Sequence, residues 1–312
     1  KHPKLYLEDG DLELSAEMPD GSRQLFRVSG AQLRCVSPVF SDMLALGGPR
    51  DEVVMMPDSA EDLAALLESV CIPSSLVRKL KTTPESQCAI ELFGLAKIAR
   101  KYGMDDITAV IVEHIQEQWP RSLEEWDASF ATWRTNSKTA ATRGDVPEPV
   151  SAIKFALEFD VPSILPAAFY MLSVQDFGDT TTASPGAESM PSMARWDLTD
   201  HAMLLKLICG RDKVRNHFKT YLSSLRCEQV ANPQKSQSSI DACNHAKNAL
   251  LGSLMRGDSA FYPHGQWDYL EILRLVQLYK PLRERFCCLY TAKTVSTARV
   301  SMWEKLPEYF GI

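Results

Sequence analysis

The chain is predicted to be an α+β protein, with a small three-stranded sheet and its helices at the N-terminal end, then helices to the last residue. Three observations carry this. Short alternating apolar runs separated by Asp-Gly dipeptides are confined to the first 57 residues. From Ser59 onward, apolar residues recur at helical spacing behind capping residues. A polar, proline-bearing stretch from Thr135 to Pro149 then separates two helical parts. At 312 residues the length agrees with about two domains.

The strand region opens with Leu5-Tyr6-Leu7, then Asp9-Gly10, then Leu12-Glu13-Leu14, which reads as a hairpin with an Asp-Gly turn. A second hairpin follows, with Asp20-Gly21 between the Leu12 to Ala16 run and Gln24 to Val28. Val53 to Met56, closed by Pro57-Asp58, supplies the third strand. Before it, Ser37-Pro38 opens a short helix through Phe40, Met43 and Leu44, spaced for one buried face.

Ser59 and Asp62 form a capping pattern before Leu63, Leu66, Leu67 and Val70, one stripe of a helix. Thr83-Pro84 starts a longer helix that turns Leu92, Leu95, Ala96, Ala99 and Tyr102 inward and stops at Gly103. Asp105 or Asp106 caps the next, which buries Ile107, Val110, Ile111, His114 and Ile115 and ends at Trp119 before Pro120. Ser122 with Glu125 repeats the capping pattern ahead of Leu123, Trp126, Phe130 and Trp133. After the polar stretch, helices are expected at 150–175, 197–226, 240–256, 267–279 and 281–304. Polar gaps near 178–192 and 232–239 read as mobile loops. The expected organisation is 1–119 as the α+β domain, 120–149 as a helix and linker, and 150–312 as an all-helical domain.

Composition excludes several functions. Forty acidic against 34 basic side chains leave a net charge of -6, which disfavours a general grip on nucleic acid through phosphate neutralisation. No apolar stretch approaches the roughly 18 to 20 residues that span a bilayer, so no membrane partner is expected. Eight cysteines are too sparse for a disulfide framework, and Cys287 and Cys288 are neighbours, so the thiols read as reduced. That places the protein inside the cell, in cytoplasm or nucleus. The chain begins with Lys1 rather than Met, which leaves an upstream targeting segment open.

No short catalytic motif is present: no G-x-G-x-x-G, no G-x-x-x-x-G-K-[ST], no G-x-S-x-G and no H-E-x-x-H. The six histidines are scattered, and His114 reads as a core or interface residue. A metal site from Cys227, Cys243, His245, Cys287 and Cys288 is the alternative chemistry, since thiolate and imidazole are zinc's preferred donors. Only Cys243 and His245 are close in sequence, so core packing of the thiols is the stronger reading. Trp126, Phe130 and Trp133 form the core stripe of one helix, separated from Trp119 by Pro120. Arg78, Lys79 and Lys81 form a basic run that reads as a solvated helix face. No catalytic, cofactor-binding or metal residue is assigned.

The order of these elements resembles a BTB/POZ domain over residues 1 to about 119. Asp9-Gly10-Asp11-Leu12 is similar to that family's opening strand, and Leu25-Phe26-Arg27-Val28 to its F-x-V strand. Ser37-Pro38-Val39-Phe40-Ser41-Asp42-Met43-Leu44 is similar to its S-x-x-F-x-x-M/L helix, and Leu92 to Met104 to its L-x-x-A-x-K-Y-x-M helix. Gly210-Arg211 and Trp303 to Gly311 resemble the C-terminal half of BTB proteins common in basidiomycete fungi. Three departures bear on partners. Ser29-Gly30 replaces the histidine and basic residue that follow F-x-V in repressor-type members. Leu46 to Asp51 lacks the acidic element of many cullin adaptors, which argues against a cullin partner. The helix preceding the first strand in many dimeric members is missing, so a homodimer stays open rather than implied.

The resemblance implies a non-enzymatic protein-protein interaction module or adaptor, without cofactor, whose partners are other proteins. The alternatives are a cullin-type ubiquitin-ligase substrate adaptor and a small metal-binding protein using the C-terminal Cys and His. Candidate surface anchors are Phe40, Met43 and Leu44, with Phe40 also suited to the core.

Overall fold

The computed structural model describes residues 1–46, 53–136, 145–175, 194–224, 268–278 and 292–312, and within 236–248 residues 236–238, 240–242, 244–245 and 248. The described residues are α+β: a small sheet near the N-terminus and mostly helices after it. It divides into two compact units, 1–118 and 119–312. The expected linker core at 137–144 and the expected loop at 178–192 lie outside the described residues, as does 232–239 except for 236–238.

In the first unit, strands β1 (Leu12–Glu17), β2 (Arg23–Val28) and β3 (Val54–Ser59) form a sheet in the order β2-β1-β3. β1 and β2 are antiparallel with Leu12 opposite Val28 and Leu14 opposite Phe26, and all four side chains are buried. A period of two therefore brings one apolar face of each strand onto the helices. Gly21, at φ 79°, supplies the left-handed residue in the turn, and Asp20 Oδ1 accepts from the Ser22 backbone N–H at 2.9 Å. β3 joins β1 in parallel.

The expected hairpin between Leu5–Leu7 and Leu12–Leu14 does not form. Both edges of β1 are taken by β2 and β3, so the segment before it pairs on the outer edge of β2 instead. Leu7 N–H donates to Arg27 O and Arg27 N–H donates to Leu5 O, each at 2.8 Å, and Leu5 is buried. Asp9-Gly10 is thus a crossing rather than a hairpin turn. A Cβ at Gly10 would lie 2.9 Å from the Arg27 side chain, so only glycine lets the two stretches approach this closely.

Seven helices are found among the described residues of this unit. α1 (Gly30–Val36) was not anticipated from the apolar pattern; Gly30 N–H donates to Asp11 Oδ1 at 2.7 Å at its start. α2 (Pro38–Ala45) begins at the predicted Ser37-Pro38 step. α3 (Ala60–Cys71) carries the predicted cap, with Ser59 Oγ accepting from Asp62 N–H at 3.1 Å, and buries Leu63, Leu66 and Leu67. α4 (Pro73–Thr82), also unanticipated, carries the basic run. The single helix expected after Thr83-Pro84 is two, α5 (Glu85–Glu91) and α6 (Phe93–Lys101), with a one-residue step at Leu92. α7 (Asp105–Glu117) starts from Met104 without a side-chain cap, Asp105 and Asp106 sitting in its first turn. It buries Ile111 and Ile115 but leaves Val110 42% exposed, correcting the inward placement of that valine.

The second unit is helical in its described residues. α8 (Leu123–Asn136) belongs to it and is capped by Ser122, whose Oγ accepts from Glu125 N–H at 3.2 Å. Trp126 and Trp133 are buried, which makes the tryptophan stripe core. Trp126 meets Tyr170 edge-on at 5.2 Å, Trp133 edge-on at 5.8 Å and Trp303 at 5.7 Å. α9 (Pro149–Phe159) is capped by Glu148, which accepts from Val150 and Ser151 N–H and also from Arg195 N–H at 2.9 Å. α10 (Leu165–Ser173) and α11 (His201–Ser224) follow, then helices Tyr269–Leu278, Ala292–Glu304 and Leu306–Phe310. Of the helix expected at 240–256, only 240–242, 244–245 and 248 are described, and all are helical. The expected helix at 281–304 is described from Ala292.

Candidate functional site

The predicted anchors lie on α2, and Ser37 determines how that helix meets the rest of the first unit. Its Oγ accepts from Phe40 N–H at 3.0 Å and its hydroxyl donates to Tyr102 O at 2.5 Å, so one residue caps α2 and ties it to the end of α6. The Phe40 ring stacks on Tyr102 at 4.7 Å, and Tyr102 donates its phenol proton to Asp58 at 2.6 Å. Lys101 reaches the other oxygen of that carboxylate at 2.5 Å. Burial, with the Asp58 hydrogen bond behind it, pushes the Tyr102 phenol far above its usual range.

Phe40 is fully buried, which corrects its assignment as a surface anchor. The physical reason is burial: the ring stacks on Tyr102 and none of it reaches solvent, so a partner cannot touch it. Met43 and Leu44 are half-buried. The exposed apolar side chains of this region are others, Val36 at 45%, Val39 at 41% and Leu46 at 87%. Val36 was missed because α1 was not recognised and Leu46 because it falls just past the last turn of α2, while Val39 lies in α2 on the side away from the buried Phe40 stripe.

A second cluster joins α5 to α7. Cys88 Sγ lies 3.7 Å from His114 Nε2 and 3.4 Å from Thr83 O, and Gln118 Nε2 is 3.4 Å from the same imidazole nitrogen. An amide nitrogen only donates, so His114 Nε2 accepts here. A thiol beside an imidazole invites comparison with a catalytic pair, but a nucleophilic cysteine needs a depressed pKa. Burial pushes the Cys88 thiol up instead, and its side chain is 1% exposed. The arrangement is a satisfied polar contact inside the unit. Its sequence signal was half visible, since His114 was read as a core or interface residue and its thiol partner was not.

Compared with protein families, with curated proteins and with solved structures, the chain matches none. The remaining sequence candidates are therefore placed by geometry alone. Among the described residues, no three His, Cys, Asp or Glu side chains gather as a metal site. Cys227, Cys243, Cys287 and Cys288 lie outside the described residues, and His245 is exposed on its helix. No helix among the described residues is long and apolar enough to cross a membrane.

In the second unit, the tail and the glycine singled out in the sequence do come together. Phe310 stacks on Phe169 at 5.3 Å and lies against Gly210 of α11, while His217 is hydrogen-bonded to Tyr309. Arg299 holds Asp127 through its two terminal guanidinium nitrogens and donates from Nε to Leu270 O at 3.1 Å. Tyr170 donates to Asp268, which also accepts from Glu271 N–H and so caps the Tyr269–Leu278 helix. Burial pushes the Asp268 carboxyl up to about 6. These contacts organise the core of that unit around Trp126 and Tyr170.

Proposed function

We propose that this chain is a protein-protein interaction module of the BTB/POZ kind, non-enzymatic and intracellular, with a helical second unit. The observation that supports the reading most is the Ser37, Phe40 and Tyr102 contact. The residues that carry the resemblance lie 62 to 65 positions apart in sequence and meet in one core. A resemblance limited to composition would not predict that meeting. The Cys88 and His114 pair supports a binding role over a thiol-catalysed one, since its thiol stays protonated at neutral pH.

Affinity would come from a few apolar anchors, and the half-buried Leu44 of α2 with the exposed Leu46 just past its end are the two candidates. The test is affinity capture in the native cell with the wild-type chain and with Leu44→Asp and Leu46→Asp. Folding is checked by circular dichroism and oligomeric state by light scattering. Loss of a reproducible partner with the fold retained supports the surface. Unchanged partners for both folded variants rule it out. A pull-down with purified cullin decides whether the module recruits a ligase.

A further inference from the structure

The basic run Arg78, Lys79 and Lys81 is the feature of the first unit that the reading above leaves unused. It sits on α4, which is tied to α3 by Ser75, a buried residue whose Oγ donates to Glu68 O at 3.0 Å. The solvent face of this helix is Ser74, Val77, Arg78 and Lys81, spaced i, i+3, i+4, i+7. Val77 is 52% exposed in the middle of it, which gives the basic face an apolar centre.

The charges of this face are uncommitted. Among the described residues, Arg78, Lys79 and Lys81 make no ion pair, whereas Lys4, Arg27 and Lys101 of the same unit pair with Glu68, Glu13 and Asp58. The unit offers carboxylates in excess, nineteen acidic against twelve basic side chains over residues 1–118. α4 itself contains no acidic residue. The result is a cationic island with an apolar centre on an otherwise acidic unit. Such a field attracts an acidic segment to one place and repels it from the rest of the surface.

Resting on the interaction-module reading, we propose that the Ser74, Val77, Arg78 and Lys81 face of α4 docks an acidic, amphipathic segment of a partner protein. Val77 meets an apolar side chain of the partner, and Arg78 and Lys81 meet its carboxylates at the rim. The negative total of the unit favours a peptide over nucleic acid, whose phosphate backbone would be repelled along most of its length.

The probe is a labelled synthetic peptide of alternating Glu and Leu at helical spacing, titrated by fluorescence anisotropy against the whole chain. Two controls are used, the same peptide with Lys for Glu and a single-stranded oligonucleotide. The acidic peptide is expected to bind, with affinity falling as salt rises from roughly 0.05 to 0.3 M. Arg78→Glu with Lys81→Glu is expected to weaken it by at least about tenfold, and Val77→Ser by several-fold. The neutral pair Arg78→Gln with Lys81→Gln guards against a charge-reversal effect on folding. Equal binding of the acidic peptide to wild type and to the charge variants overturns the proposal, as does tighter binding of the oligonucleotide. If the α4 variants bind the peptide as wild type does while Leu46→Asp loses a captured partner, only this docking site fails. If neither surface affects any partner, the interaction-module reading fails with it.

Discussion

Phe310 lies against the bare backbone of Gly210, so closely that a Cβ at that glycine would stand 2.0 Å from the ring. The ring is also stacked on Phe169, and the backbone around it is tied to α11 by Lys206, which donates to Gly311 O at 2.8 Å. Gly311 ends the last helix at φ 64°. The C-terminal segment is therefore seated on α11 by a missing side chain on one partner and a large ring on the other.

Gly210→Ala is expected to unseat this segment, because a buried ring stacked on Phe169 has little room to move away from a new Cβ. A loss of about 3 kcal/mol or more is expected, the scale of losing a buried aromatic's packing. Gly94→Ala provides the contrast. There a Cβ would meet Asp62 Oδ1 at 2.1 Å, but that oxygen is the end of a half-exposed side chain that can swing aside. Its cost is expected to stay below about 1 kcal/mol, offset by the better helix propensity of alanine. Urea unfolding of both variants checks the difference.

Asp268 predicts an acid-side dependence of stability. Its carboxyl is pushed up to about 6 by burial, above the ordinary value near 3.8, so the folded state holds the proton more tightly than the unfolded chain does. The stabilisation is complete below the unfolded value and is lost as pH rises through about 6. The difference between the two values corresponds to on the order of 3 kcal/mol. Asp268→Asn keeps an acceptor for Tyr170 and for Glu271 N–H and is expected to remove this slope between pH 4 and 7, approximately. Thermal melts across that range measure it. An unchanged slope in the variant would assign the dependence to other groups.

Cys88 predicts a low reactivity. With its thiol pushed up by burial and engaged with Thr83 O or His114, alkylation of the native protein at neutral pH is expected to label the exposed Cys35 and Cys209 and to spare Cys88. Labelling of Cys88 should appear only on unfolding. Peptide mass mapping after a timed iodoacetamide pulse reads the order. Labelling of Cys88 as fast as Cys35 would show a thiolate paired with His114, and would reopen a nucleophilic role.

The signals that were legible are ones in which the residue and its hydrogen-bond partner are neighbours in the chain, although the equally local Glu148 and Asp268 caps were missed. The Ser59 cap of α3, the Ser122 cap of α8, the Ser37-Pro38 start of α2 and the Gly21 turn all satisfy groups within three or four residues. The step at Leu92 between α5 and α6 was not legible, nor was α1, whose seven residues carry only Gly30 and Leu33 into the core. Short helices with one or two buried positions leave too little periodicity to recognise. The inward placement of Val110 failed for a related reason: an apolar residue at the margin of a stripe can fall on either side of it.

The amino-acid sequence by itself determined the α+β class, the predominantly helical character of the described residues after β3 and the apolar faces of most of their helices, because those follow from periodicity and capping within a few residues. Tertiary structure alone decided which edge each strand occupies and that Leu5–Leu7 pairs with β2. It also decided that Phe40 is consumed by Tyr102, that Cys88 meets His114, and that Gly210 receives Phe310. Apart from the β1–β2 pairing, each of these is a contact between residues 20 or more positions apart. Its energy depends on the complementary shape and burial of both partners, and a reading along the chain contains neither.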